Sequence, residues 1–521
     1  MMSASPDRTP DRAITSVCIV GGGSAGWLTA ALIAARHGPD VAVTLVESVS
    51  RGTIGVGEGT WPTMRNTLRK IGIAETDFMR ACHASFKQGA KFARWRTGED
   101  DDFYYHPLVL PEGFPDLDLA PYWNAAAEQD HGAAPSFSDA VCFQEFLCEQ
   151  GLAPKLITSP EYAGIANYAY HLDAVKLGEL LASHATQKLG VRHIDDEIVG
   201  VERAEDGDVR AVIGQRSGPI AADLFVDCTG FAARLLGEAL EVPFIDRSDV
   251  LFIDRALAVQ LPVEPDSPIA SHTISTAQKH GWIWDIGLPT RRGIGYVYSS
   301  RHAGADRAEE ELAAYVGPGF ASLTPREIPI RSGHRALFWK NNVVAVGLAA
   351  GFLEPLEASA LVLIELSADY IATSLPATRG AMDFVARRFN TMTRYRWDRI
   401  IEFLKLHYIL SERSDTAFWR DNRDPATIPQ DLQDQLLLWR DTPPGEHDFA
   451  SAHEMFPAAS YQYVLYGMGF RTRPRAGQLA RRDQAEDALA HTAGMKQKLA
   501  RMMPTNRALL STLAQHRFPP L

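Results

Sequence analysis

The chain is 521 residues long and 46% hydrophobic, enough to bury an extensive core and too long for one simple domain. Its formal net charge of -12 argues against the basic face of a nucleic-acid binder and directs attention to small molecules. Five cysteines, at 18, 82, 142, 148 and 228, make neither CxxC pairs nor a zinc-spaced Cys/His cluster, so reduced structural thiols and no metal are expected.

Residues 1–14 are polar, include Pro6 and Pro10, and lack the apolar core of a secretory signal. They read as a disordered tail on a cytoplasmic protein. No apolar run approaches the ~20 residues of a membrane helix, so no membrane partner is expected.

Val17-Cys18-Ile19-Val20 reads as a buried strand, followed by Gly21-Gly22-Gly23-Ser24-Ala25-Gly26 and an apolar helix from Trp27. A second strand, from Val41 to Val46, ends at Glu47. This is a complete βαβ unit with a dinucleotide fingerprint. Gly21 permits the tight turn, Gly23 lets the backbone approach a pyrophosphate beside Ser24 and Ala25, and Gly26 allows close helix-to-strand packing. Glu47 stands where an acid accepts hydrogen bonds from an unphosphorylated ribose, as in FAD or NAD. A glycine turn in an unrelated α/β protein is the rival reading, which the flanking strand, helix and acid disfavour.

Two later segments, Asp223 to Gly230 and Asn342 to Gly347, are again buried strands running into glycine turns. They resemble the corresponding segments of two-domain FAD monooxygenases, although those enzymes commonly carry Gly-Asp where this chain has Gly347-Leu348. The expected fold class is therefore α/β, a two-lobed glutathione-reductase-like FAD-binding fold with appended C-terminal helices. Residues 15–360 should form an FAD lobe interleaved with a substrate lobe, the latter near 80–220 and 250–335. Residues 361–521 should be mainly helical and cover the substrate site, with Ala368, Ile371, Phe384, Phe389, Ile400 and Leu404 at helical spacing. The Arg-, Gln- and Ala-rich end reads as a solvated amphipathic helix.

Five further segments matter together: Ile54 to Pro62, Phe86-Lys87-Gln88-Gly89, Tyr105-His106-Pro107, Trp282-Ile283-Trp284 and Phe352 to Glu357. Their order resembles that of the flavin-dependent tryptophan halogenases, over residues 17 to about 470. The resemblance implies an enzyme in which reduced FAD, O2 and chloride or bromide give hypohalous acid. That acid travels through a tunnel to an electron-rich aromatic substrate such as indole or tryptophan. It also implies a separate NAD(P)H-dependent flavin reductase, because no second dinucleotide fingerprint is evident here. A homodimer is an expectation taken from the resemblance alone.

Lys87 matches the family's essential lysine, whose ammonium can hydrogen-bond hypohalous acid and polarise its halogen. Alone, it would read as a snorkelling helical lysine with Lys91 one turn away. Glu357 matches the facing carboxylate, which can stabilise a cationic arenium and help remove its proton; alone, it would read as a first-turn helix acid after Pro355. Ser359 and the Ala360 backbone match a halide-binding turn, but Glu357-Ala358-Ser359-Ala360 stands where the family often reads Glu-Ser-Thr-Gly. Trp282 and Trp284 match a flavin-proximal pair, followed by Gly287 in place of the usual proline. Gly57 and Glu58 lie in a segment resembling the strap between flavin and substrate sites. His106, Leu108 and Phe456 are the substrate-site candidates. Leu108 replaces a usual phenylalanine, and no clamp for an amino acid group is recognisable near Met455-Phe456-Pro457 or Tyr461-Gln462-Tyr463. The competing functions are an FAD-dependent aromatic hydroxylase and a noncatalytic flavin-binding partner protein.

Overall fold

The computed structural model describes residues 12–49, 57–129, 135–450, 454–473 and 475–521. Ile54 to Val56 of the strap segment, and most of the 1–14 tail, lie outside the described residues.

The continuous apolar runs Val17–Val20, Leu224–Val226 and Val343–Ala345 are buried on both faces, the pattern of parallel strands covered by helices. They form the centre of a six-stranded sheet in the order 339–340, 343–345, 224–227, 16–20, 42–47, 192–195. All neighbours are parallel except the edge pair Trp339–Lys340 with Val343–Ala345. The helix Ser24–His37 packs against Ser359–Thr373 and Ala174–Lys188.

A seven-stranded sheet runs in the order 326–329, 255–262, 291–298, 281–287, 273–277, 89–93, 103–107. Every residue of its strand Gly281–Gly287 is buried. A small sheet of Gly57–Gly59, Ala169–Asp173 and Ser85–Lys87 joins the two lobes. The helical region includes the 31-residue helix Arg379–Ile409, the buried helix Ala458–Gly467 and the solvated helix Arg482–Met502. No helix among the described residues is long and apolar enough to cross a membrane, and the cysteines are unpaired thiols.

Two expectations need correction. The substrate segment drawn at 80–220 is too long: the strand Arg192–Asp195 pairs in parallel with Ala42–Glu47, so the helix Ala174–Lys188 and the meander Ile198–Ala221 accompany the FAD lobe. Residues 12–14 are not tail. Arg12 pairs with Asp223 at 2.5 Å, Ala13 bridges Thr378, and Ile14 is buried. Phe384 lies in the helix Arg379–Ile409, as its spacing predicts, on an exposed face beside the guanidinium groups of Arg387 and Arg388.

Near the junction, Glu75 and Lys155 form a completely buried ion pair at 2.7 Å. Glu75 also accepts from Tyr168 and Tyr170 hydroxyls and the Tyr162 amide. Removing one partner strands a buried charge, so Lys155→Met should destabilise the protein by about 3–5 kcal/mol. Urea unfolding checks this; a change below about 1 kcal/mol would mean the site relaxes or hydrates freely.

Candidate active site

The glycine loop opens into a cavity of about 750 Å³ whose lining includes Gly21–Ala25, Glu47, Gly57, Glu58, Lys87, Ala358 and Ala360. Gly21 has φ +110°, and a Cβ there would meet the Cys228 carbonyl oxygen at 2.2 Å. A Cβ on Gly26 would lie 1.9 Å from the Gly21 carbonyl oxygen, so these two glycines hold the helix against the strand end. Gly23 differs: its Cβ would meet nothing within 4 Å and would project into open space at the start of the helix. That vacant approach beside free helix N-terminal amides fits a pyrophosphate. Glu47 lines the same region, with His193 Nε2 at 3.1 Å. The residues present fit FAD.

Gly347, at φ +69°, begins a short helical turn that brings Leu348 to the cavity wall. Leu348 supplies an apolar surface where a carboxylate would have supplied an acceptor. Gly57 and Glu58 form a strand against Leu172 and Asp173, and burial pushes the Glu58 carboxyl up to about 7. Trp282 and Trp284 project from one face of their strand with rings 6.5 Å apart. Trp284 lines the cavity, whereas Trp282 is completely buried behind it, donating from Nε1 to Glu354 at 2.8 Å.

Lys87 is at the end of the short strand Ser85–Lys87, not on a helix, so Lys91 is not one turn away. Lys91 sits on the next strand and pairs with Glu149 at 2.6 Å. Lys87 Nζ lines the cavity and donates to the Thr60 carbonyl at 3.3 Å. Its neighbours converge on Gly59: a Cβ there would lie 3.4 Å from Lys87 Nζ, 3.4 Å from Ala358 Cβ and 3.6 Å from His171 Cδ2. Burial pulls the Lys87 ammonium down to about 8, opposed by the negative charge of Glu357.

Glu357 precedes the helix Ser359–Thr373 rather than lying in its first turn, which contains no acid. Ala358 caps that helix at φ 53°, a left-handed conformation that costs a non-glycine residue about 1–3 kcal/mol and persists where surroundings impose it. Trp61 Nε1 helps by donating to the Glu357 carbonyl at 2.9 Å. The Glu357 carboxylate lies between two histidines, His106 Nδ1 at 3.0 Å and His407 Nε2 at 3.3 Å. Burial pushes this carboxyl up, but the two histidines hold it well below the usual carboxylate range. An ionised carboxylate only accepts, so His106 Nδ1 is the donor; its Nε2 lies 2.8 Å from the Ser460 hydroxyl. Burial lowers His407. Its neutral form can turn Nε2–H toward Glu357 while Nδ1 accepts from the Tyr104 hydroxyl at 2.5 Å.

Among the substrate candidates, His106 is thus tied to Glu357, with its ring 6.3 Å from Phe456. Phe456 stacks on Phe403 at 3.8 Å. Leu108 is half-buried, and its amide donates to Gln144 Oε1 at 2.7 Å. Ser359 is buried at the helix start, while Ala360 lines the cavity. Sequence reasoning missed His407, His171, Phe403 and Ser460. None sits in a motif with its partner, and only the crossing of distant elements brings them together.

The sequence model of the tryptophan halogenase family matches residues 16–484. The tryptophan 6-halogenase SttH of Streptomyces toxytricini is 34% identical, covering 97% of both chains. A crystal structure of a tryptophan halogenase from Shewanella frigidimarina superposes with a TM-score of 0.94 at 48% identity, covering 98% of this chain and 99% of that one. Tar14, a tryptophan C-6 flavin-dependent chlorinase from taromycin biosynthesis, gives a TM-score of 0.90 at 33% identity, covering 96% and 100%. With a dinucleotide loop and a buried lysine on one cavity, and that extent of similarity, the chain belongs to the tryptophan halogenase family of flavin-dependent oxidoreductases.

Proposed function

We propose that the protein binds FAD along Gly21–Gly26 and Glu47 and halogenates an electron-rich heteroaromatic such as indole or tryptophan, with Lys87 and Glu357 directing the chemistry. The observation that carries this reading is that Lys87 and the glycine loop line one and the same cavity. Reduced FAD, replenished by a separate flavin reductase, would supply hypohalous acid from O2 and chloride or bromide. Lys87, as an ammonium, donates a hydrogen bond that polarises the halogen. The amides of Ser359 and Ala360, at a helix N-terminus, suit the halide. Glu357, kept ionised by His106 and His407, faces the developing cation and accepts its proton. Trp284 and Leu348 present apolar walls that exclude water, which strengthens both interactions.

Among the described residues, the polar groups around Phe456 support a compact ring over an amino acid as substrate. Around Phe456 and Phe403, Gln462 Nε2 is committed to Asp118 and Pro444, the Tyr463 hydroxyl to Val109, and Glu454 to the Tyr395 hydroxyl. Tyr461 Oη and Gln462 Oε1 are buried without partners, yet a hydroxyl and an amide oxygen cannot neutralise a carboxylate. A site built around a carboxylate would reject an analogue lacking it, because its own polar groups would be left unpaired. We therefore expect indole to be consumed at least as fast as tryptophan when both compete at equal concentration with excess bromide, FAD and a reductase, with products read by mass. Exclusive conversion of tryptophan would reverse the substrate assignment. Oxygenated products without halogen would indicate an aromatic hydroxylase instead.

A further inference from the structure

The aromatic core behind the cavity is a continuous file of oxidisable rings. Trp284, on the cavity wall, is 6.5 Å from Trp282, which is 6.3 Å from Trp95. Trp95 then branches to Tyr408 at 5.3 Å and to Trp419 at 5.6 Å, centroid to centroid. Neighbouring rings at these separations are close enough for electrons to hop between them, whatever the rings contribute to packing.

The chemistry at the branch distinguishes the two ends. The Arg413 guanidinium lies 4.5 Å above Trp419. A cation held over a ring opposes removal of an electron from it, the converse of the attraction that places it there. Tyr408 has the opposite environment: its hydroxyl donates to Glu354 Oε2 at 2.5 Å, the same oxygen that accepts from Trp282 Nε1. Glu354 Oε1 is buried without a partner. Oxidised tyrosine is a strong acid and is stabilised only when its proton has somewhere to go. Glu354 is that acceptor, bonded to the hydroxyl through Oε2 and with Oε1 free of a partner, and burial holds its carboxyl up at about 7.

We propose that this file lets the protein reduce its own bound flavin under light, using Trp284, Trp282 and Trp95 as a hole relay and Tyr408 with Glu354 as its terminus. The proposal rests on the reading of the cavity as an FAD site. Oxidised FAD excited by blue light takes one electron from Trp284. The hole passes to Trp282, then Trp95, then Tyr408, which loses one electron to the relay and its hydroxyl proton to Glu354. An added one-electron donor of the ascorbate class returns the electron to Tyr408, and Glu354 returns the proton. Each excitation moves one electron, so two rounds, consuming two equivalents of the one-electron donor and taking the flavin's protons from solvent, reduce one flavin completely. The activity loads the cofactor with electrons without a reductase.

The test uses full-length protein loaded with FAD, with binding measured first by fluorescence titration. After an anaerobic blue-light pulse, transient absorption should show a tryptophan radical giving way to a long-lived tyrosyl radical, and continuous light with ascorbate should bleach the flavin. Trp95→Phe, which keeps a ring but not an oxidisable one, should bind FAD and lose the tyrosyl signal. Glu354→Gln keeps a hydrogen-bond acceptor but cannot take the proton, so the radical should remain on tryptophan and recombine sooner. Absence of FAD binding overturns the cofactor reading and the relay with it. Bound FAD with no protein radical, or Trp95→Phe with an undiminished tyrosyl signal, overturns the relay alone.

Discussion

Lys87→Ala protein is expected to oxidise reduced FAD normally while its halogenated product falls by about 10²-fold or more, the usual consequence of removing one polarising or proton-handling group. The two readouts separate because the lysine and the glycine loop are distinct parts of the cavity lining. Its removal leaves the dinucleotide loop intact and subtracts only the donor beside Thr60 and Gly59. Product and flavin oxidation are measured in the same reaction, by mass and by absorbance. Near-normal halogenation would remove Lys87 from the mechanism. The pH profile carries the same information with a definite sign. Burial lowers the lysine to about 8, so the active ammonium predominates below that value and is lost as pH rises through it. Product formation should therefore decline on the alkaline side of 8 while flavin oxidation continues.

Much of the dinucleotide end is legible in the sequence because its parts are contiguous. Strand, glycine turn, helix and acid lie between Ser16 and Glu47, and each local preference agrees with the next. The outer strand Arg192–Asp195 is different. It is a short and largely exposed edge, without the apolar run that marks a central strand, so its place in the sheet is hidden and the expected substrate segment extends too far. Lys87 stands out through its motif, but its backbone does not, since a strand of three residues has too little periodicity to oppose a helical reading. Glu357 is likewise visible, whereas His407 is not. His407 sits inside a 31-residue helix among other buried positions, and nothing local distinguishes an imidazole aimed at a carboxylate from one packed in the core. His106 is visible as a substrate-site candidate through its motif, but the partners of its ring are not: its two nitrogens engage Glu357 and Ser460, residues 251 and 354 positions away, a pairing that no sequence period encodes.

Gly23→Val should fold as the wild type does and fail to hold FAD. Both halves of that expectation follow from one observation, that a Cβ at this position meets no protein atom within 4 Å. Gly21 or Gly26 would be poor choices for the experiment, because side chains there collide with the protein's own carbonyl oxygens at 2.2 and 1.9 Å and would confound weakened binding with a damaged fold. At Gly23 the backbone is extended, with φ -72°, a conformation valine adopts readily. Its two methyl groups would stand where a pyrophosphate must approach the amides at the start of the helix Ser24–His37. A hydrogen bond to a charged group contributes about 1.5–3 kcal/mol, so every amide that can no longer reach a phosphate should weaken FAD binding by roughly 10- to 150-fold. Fluorescence titration measures the affinity, and thermal unfolding without FAD establishes that the variant is folded. Wild-type affinity in the folded variant would place the phosphates elsewhere. Weakened affinity with an unchanged melting temperature would locate them at this loop, because no intrinsic defect of the fold would remain to explain it.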